Sequence, residues 1–349
     1  MRAAVLRGWG EPLEVAEVPE PAPGRELLVE LSATGVCHAD VNEMRGDWPE
    51  MKHLMETSHV TILGHEGIGT IRATGTGTET AALKVGDRVG VPWLNYWCGR
   101  CELCLSGNPY MCNSVRVTSL TVNGTYAQFT TVSERSAPIV PQGIPDEEAA
   151  PLLCAGITSY AAVKKLVAQL GIPAGKPVAV IGAAGGLGHY VVQIAKAFGF
   201  TVMGVDIGEE RLDFVSKLGA DEAIDAKQAE RFLREQGGVS AAIVLTPKVA
   251  GYRLATKVLK KQGAIIAVGT PDLTEGPLNL SLIEIIENGT KIIPSVGGAF
   301  YEFQELFELY LQGKVRTHVS RRGTLDDVNE VLTELSESRY LGRAVLSTR

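Results

Sequence analysis

The 349-residue chain is 45% hydrophobic and 21% charged, enough to bury a large core and long enough for two domains, and its 39 glycines and 17 prolines are dispersed, which excludes a disordered tract. A formal net charge of −7, a pI near 5.5 and the lack of any basic run argue against nucleic acid or an anionic membrane surface as a partner. No run of about 18 apolar residues occurs, and the opening MRAAVLRGWG lacks the apolar centre of a signal peptide, so a cytoplasmic protein is expected.

In chain order, residues 1–36 read as short strands and turns. Glu11-Pro12 and Pro21 to Gly24 mark turns, Leu27 to Leu31 reads as a strand, and Thr34-Gly35-Val36 reads as a turn into Cys37. Gly64-His65-Glu66-Gly67 precedes another strand-like run, Ile68 to Ile71, and Asp87 to Val91 reads as a further short strand. This β-rich half is expected to form its own domain, with the helix-prone stretch Glu147 to Leu166 bridging to the remainder.

The six cysteines lie at positions 37, 98, 101, 104, 112 and 154, a clustering that suits metal better than disulfides. Cys98, Cys101, Cys104 and Cys112 are spaced C-x2-C-x2-C-x7-C on a lobe turned by Gly99, Gly107 and Pro109, which lets four thiolates surround one tetrahedral ion. Zinc is the expected occupant. An iron–sulfur cluster is the competing reading, although the cysteine-proline ending of many such runs is missing. Four thiolates close the coordination shell, so this site is expected to be structural. Cys37, Cys154 and His65 could form a second, three-ligand zinc site with an open position, but spacing alone leaves the alternative of buried free thiols and a core histidine.

After residue 176 the pattern changes. Val178 to Gly188, VAVIGAAGGLG, runs from a β-branched strand into closely spaced glycines and then a helix whose Val191, Ile194, Ala195 and Phe198 share one face. Such a turn lets backbone approach a pyrophosphate at a helix N-terminus, with Gly182, Gly185, Gly186, Leu187 and Gly188 as candidate contacts. The usual glycine fingerprint is shifted, its three positions falling on Ala183, Gly185 and Gly188. The strand Phe200 to Val205 ends in Asp206, placed to accept hydrogen bonds from the adenosine ribose, unless it is only a strand-end turn residue; Arg211 follows five residues on. Further strands at Glu222 to Asp225, Ala241 to Leu245, Gly263 to Gly269 and Thr290 to Gly297, with helices such as Glu209 to Leu218 between most of them, predict an α/β fold with a doubly wound, six-stranded parallel sheet. Amphipathic segments at Phe303 to Leu311 and Val328 to Leu335 and a strand at Ala344 to Leu346 complete the chain.

GVCHAD at 35–40, GHEG at 64–67, the four-cysteine lobe, LCAGIT at 153–158 and GAAGGLG at 182–188 resemble, in order, the zinc-containing alcohol dehydrogenases of the medium-chain dehydrogenase/reductase superfamily, nearest the tetrameric microbial branch. The resemblance implies a GroES-like catalytic domain at 1–157 and 298–349, a Rossmann coenzyme domain at 158–297, two zinc ions per chain, NAD(H), a small-molecule substrate and a homotetramer. It implies catalytic zinc on Cys37, His65 and Cys154, with Glu66 able to approach the metal, and Asp40 orienting the ligand histidine. It places His38 and Arg343 on the coenzyme pyrophosphate, adds Val268 to the coenzyme contacts, and sets Trp48 and Trp93 beside Ala39 at the substrate pocket.

Two departures stand out. The family's proton relay starts at a serine or threonine and ends at a histidine, where this chain has Ala39 and Asn42, neither of which can pass a proton near neutral pH. The segment Pro49 to Leu63 is also long for the family; its His53 and His59 could supply a substitute acid, but it is expected to be a solvated loop. The expected function is zinc-dependent hydride transfer between NAD(H) and an alcohol, aldehyde or ketone. Reduction of a conjugated C=C or C=N bond, and a non-catalytic dinucleotide-binding role, are the alternatives.

Overall fold

Strand Leu27–Val36 is buried along almost its whole length because it has neighbours on both sides and alternates little between apolar and polar residues. It pairs antiparallel with Gly67–Thr74, Phe129–Val132 and Arg343–Ser347, and Val319–Thr324 and Arg88–Val91 close the two ends of this six-stranded sheet. The computed structural model describes residues 1–76, 83–271 and 275–349. The chain divides into one unit of Met1–Ile157, Ala299–Leu311 and Thr317–Arg349 and a second of Thr158–Gly298 and Gln312–Arg316.

The expected turn at Thr34-Gly35-Val36 is instead strand. Thr34 pairs with Gly67 and Val36 with Ala344, so ladder hydrogen bonds carry the extended backbone up to Cys37. The expected loop at 49–63 is also corrected, since Pro49–Thr57 is an α-helix. Proline suits its first turn, and Met55 is buried in the core with Met51 packed against it. Trp9 anchors this helix, its indole Nε1 donating to Glu56 Oε1 at 3.0 Å while Lys52 Nζ lies 5.1 Å from the ring centroid. His53 and His59 are solvent-exposed. The stretch 147–166 is broken into Asp146–Ala149, a 3-10 turn Ala150–Leu153 and the helix Ala155–Ala168, with Cys154 at the break.

In the second unit the parallel six-stranded sheet is present, in the order Glu222–Asp225, Thr201–Asp206, Pro177–Ile181, Val239–Val244, Leu259–Ala267, Lys291–Pro294. Strand order reverses between Pro177–Ile181 and Val239–Val244, and ligands of such sheets bind in the crevice outside the carboxyl ends at that switch point. The last strand is four residues long, shorter than expected, and ends at Pro294, whose ring removes a ladder donor. Among the described residues no helix is long and apolar enough to cross a membrane.

Candidate functional site

Cys37 stands where the central strand gives way to helix His38–Arg45, and it caps that helix. Its N–H donates to Asp40 Oδ2 at 2.8 Å, while its side chain receives the backbone N–H of Asp40, a reciprocal capping box. The cap fixes Asp40, whose carboxylate also accepts from Tyr126 Oη at 2.6 Å and lies 3.0 Å from His65 Nδ1. His65 and Glu66 are fully buried just before strand Gly67–Thr74. Residue 35 must be glycine here, because a Cβ would come within 1.9 Å of Glu66 Oε2.

The ligand atoms of Cys37, His65, Glu66 and Cys154 lie within 4.8 Å of one another. His65 Nε2 is buried without a hydrogen-bond partner, as an imidazole awaiting a metal would be. The electrostatics agree with that donor set. The neighbouring Cys154 thiol and His65 hold the Cys37 thiol well below its ordinary pKa against burial, and the same contact with Cys37, with burial, pushes Cys154 up. Burial works against the charged form of His65, but Asp40 and Cys37 outweigh it and raise its pKa. Burial lifts Glu66 to about 7 against the pull of Arg343, whose Nη2 lies 2.6 Å from both carboxylate oxygens. Two thiols, an imidazole and a carboxyl so arranged suit zinc.

The four cysteines of the lobe also converge, with Sγ separations of 3.4 Å for Cys101–Cys104 and 3.9 Å for Cys98–Cys104 and Cys101–Cys112. The N–H groups of Cys98 and Ser114 each donate to Cys112 Sγ at 3.4 Å. The backbone N–H groups of Arg100 and Cys101 draw Cys98 down to about 6, whereas burial and its thiol neighbours push Cys104 up to about 12. Four thiols this close resist full ionisation until a cation joins them.

In the second unit, strand Pro177–Ile181 turns at Gly182 into helix Gly188–Ala197. Asp206 at the end of the next strand is bolted to this turn, accepting from Ala184 N–H at 2.8 Å and Ile207 N–H at 2.9 Å, with Arg211 Nη1 3.8 Å away. Val268 follows strand Leu259–Ala267. His38 and Arg343 belong to the first unit; His38 is exposed, while Arg343 is buried, donating to Val36 O at 2.9 Å and paired with Glu66. Ala39, Trp48 and Trp93 are each partly buried, and Trp93 packs against the core of the first unit.

Sequence reasoning missed Tyr126 and Glu43. Glu43 is buried three residues beyond Asp40, and burial followed by the Asp40 charge lifts it to about 8. The helical spacing of the two acids was the available signal.

Residues 23–143 match the family model described as the alcohol dehydrogenase GroES-like domain, and residues 186–312 match that described as zinc-binding dehydrogenase. An alcohol dehydrogenase of Geobacillus stearothermophilus is 38% identical over 99% of both chains, and one of Moraxella sp. is 35% identical over 99% of both. The crystal structure of the alcohol dehydrogenase from Aeropyrum pernix superposes with a TM-score of 0.88 at 34% identity, covering 99% of this chain and 100% of the other.

Proposed function

The chain belongs to the zinc-binding dehydrogenases that carry an alcohol dehydrogenase GroES-like domain, and from that premise we propose the residue roles behind its activity as a zinc-dependent, NAD-linked alcohol oxidoreductase. Hydride passes between the nicotinamide and the carbinol or carbonyl carbon of a small alcohol, aldehyde or ketone. The observation that carries the assignment is the convergence of Cys37, His65, Cys154 and Glu66 on one buried point. Zinc bound there supplies Lewis-acid polarisation of the substrate oxygen.

Cys37, His65 and Cys154 are the ligands, and Glu66 is a reserve donor held by Arg343. Asp40 acts on His65 Nδ1, fixing the tautomer and aiming Nε2 at the metal. Cys98, Cys101, Cys104 and Cys112 hold a second, structural zinc. The turn Gly182–Gly188 receives the pyrophosphate, while Asp206 receives the adenosine ribose and Val268 faces the nicotinamide half. Ala39, Trp48 and Trp93 line the substrate pocket. The catalytic domain is 1–157 with 298–349 and the coenzyme domain is 158–297.

Ala39 and Asn42 carry no titratable proton, so the substrate hydroxyl exchanges with water rather than through a side-chain relay. That observation favours a second reading, reduction of a conjugated C=C or C=N bond, in which no alkoxide proton has to leave. A panel of alcohols, aldehydes, ketones and enones with NADH, NADPH and NAD separates them: turnover of carbonyls and alcohols is expected, and turnover of enones alone would overturn the first reading.

A homotetramer is proposed from the exposed Leu282, Ile283 and Ile286 and from the strand Lys291–Pro294, which among the described residues has one unpaired side. Ile286→Glu should reduce the assembled mass seen by light scattering. A cytoplasmic location is proposed because reducing conditions keep all six cysteines available to metal.

A further inference from the structure

At the carboxyl edge of the parallel sheet, three chain reversals pack backbone against backbone. A Cβ on Gly182 would lie 3.3 Å from the Thr246 nitrogen, and one on Gly269 would lie 2.4 Å from the Thr246 carbonyl oxygen. The N–H groups of Val268 and Gly269 both donate to Val244 O, at 3.2 and 2.9 Å. Beyond Gly269 the chain is gripped by helix Val249–Val258 at two points. Tyr252 Oη donates to Gly269 O at 2.5 Å, and the Glu275 carboxylate accepts from Val249 N–H at 2.7 Å and from Lys248 Nζ at 2.9 Å. Val249 is the first residue of that helix and Tyr252 the fourth, so both grips come from its N-terminal turn.

Tyr252 is only 5% exposed and sits in the core with Ile181, Val244, Ala255 and Ile265. Phenylalanine would fill that volume equally well. A buried phenol hydroxyl is costly unless it finds a partner, and this one finds the carbonyl of Gly269, two residues past the end of strand Leu259–Ala267.

Asp206 ends the strand on one side of Pro177–Ile181, whereas Val239–Val244 and Leu259–Ala267 lie on the other. A dinucleotide lying across the switch point with its adenosine at Asp206 therefore extends its nicotinamide half toward Val268 and Gly269. We infer that Tyr252 is a positioning residue for the nicotinamide half of the coenzyme, acting through its hydrogen bond to Gly269 O to fix the Val268–Gly269 backbone. The inference rests on the coenzyme reading proposed above.

Tyr252→Phe deletes a single oxygen. Binding of NADH and of ADP-ribose, which has the adenosine and pyrophosphate but no nicotinamide, is measured by calorimetry on the zinc-loaded full chain. The variant should raise the Kd for NADH by about 3- to 10-fold, the range that corresponds to one ordinary hydrogen bond, and leave the Kd for ADP-ribose within about twofold of the parent. Glu275→Gln, which keeps the phenol and weakens the second grip, should show the same selectivity to a smaller degree. Equal weakening of both ligands, or no change in either ligand with both variants, overturns the inference. So does a parent that binds NADH no better than ADP-ribose. A parent that binds neither removes the coenzyme reading itself, and the inference with it.

Discussion

The proposed role of Asp206 at the adenosine ribose makes coenzyme choice the first prediction. Its carboxylate is fixed by the Ala184 and Ile207 N–H groups, so it cannot swing away from a 2′-phosphate. Like charges about 4 Å apart repel by roughly 4 kcal/mol at an effective dielectric of 20, an upper figure for a partly wet site that Arg211 lowers further. NAD should therefore outperform NADP in kcat/KM, and Asp206→Gly should narrow the gap; equal values in the parent would mean that Asp206 does not meet the ribose. Positions 39 and 42 make the second prediction. Restoring a hydroxyl and an imidazole with Ala39→Thr and Asn42→His should raise alcohol oxidation at neutral pH toward the roughly 10²-fold lower end of general acid–base contributions. His53 and His59 are exposed, and replacing both with alanine should leave the parent's rate as it was. A fall in that rate would show that one of them serves as the missing acid.

At the scale of elements, Asp146 ties one short helix to two strands. It lies 2.5 Å from Ser32 Oγ and 2.9 Å from Arg88 Nε, while Arg88 also donates to the carbonyls of Pro141 and Ile144, each at 2.7 Å. Burial works to raise the Asp146 pKa, but the bonds from Ser32 and Arg88 outweigh it and hold the carboxyl below its ordinary value. The unfolded chain then binds this proton more readily, so the stabilisation is present above about pH 4 and is lost as pH falls through the folded-state value. Asp146→Asn should cost about 1 kcal/mol at neutral pH, the carboxylate being partly exposed, and should flatten the acid slope of Tm. An unchanged slope would count against the tie.

Legibility followed the range of the forces at work. The parallel sheet was readable because each strand carries its own apolar run, and the four-cysteine lobe because its spacing is local. Helix Pro49–Thr57 was not, because what holds it is Trp9, forty residues earlier, together with burial of Met55. Thr34-Gly35-Val36 reads as a turn because a glycine inside a strand is uncommon, whereas here Gly35 leaves room for Glu66. Tyr126 is illegible because 86 residues separate it from Asp40, whereas the helical spacing of Asp40 and Glu43 is the only local sign of that pair.

For the whole molecule, the two metal sites should differ in lability. One is a closed set of four thiolates, and structural zinc of that kind contributes about 10–16 kcal/mol of apparent binding energy in small peptides. The other offers an open coordination position. Graded chelation should remove activity before it removes the far-ultraviolet signal, with about two zinc ions per chain released in two steps. Release in one step, concurrent with unfolding, would show that the sites are not independent.

The same molecule imposes a delay on the folding of its first unit. Arg343 reaches Val36 across 307 residues, and strand Arg343–Ser347 pairs with the central strand of the first unit. At about 5–20 residues per second, roughly 15–60 s separate the ribosome's completion of Val36 from the arrival of its partner. Throughout that interval Thr34, Gly35 and Val36 present an unclaimed edge, and Glu66 has no arginine to neutralise it. The nascent chain therefore has a window in which a holdase, or a mispaired neighbour on the same message, competes for the strand from which the active site will be built.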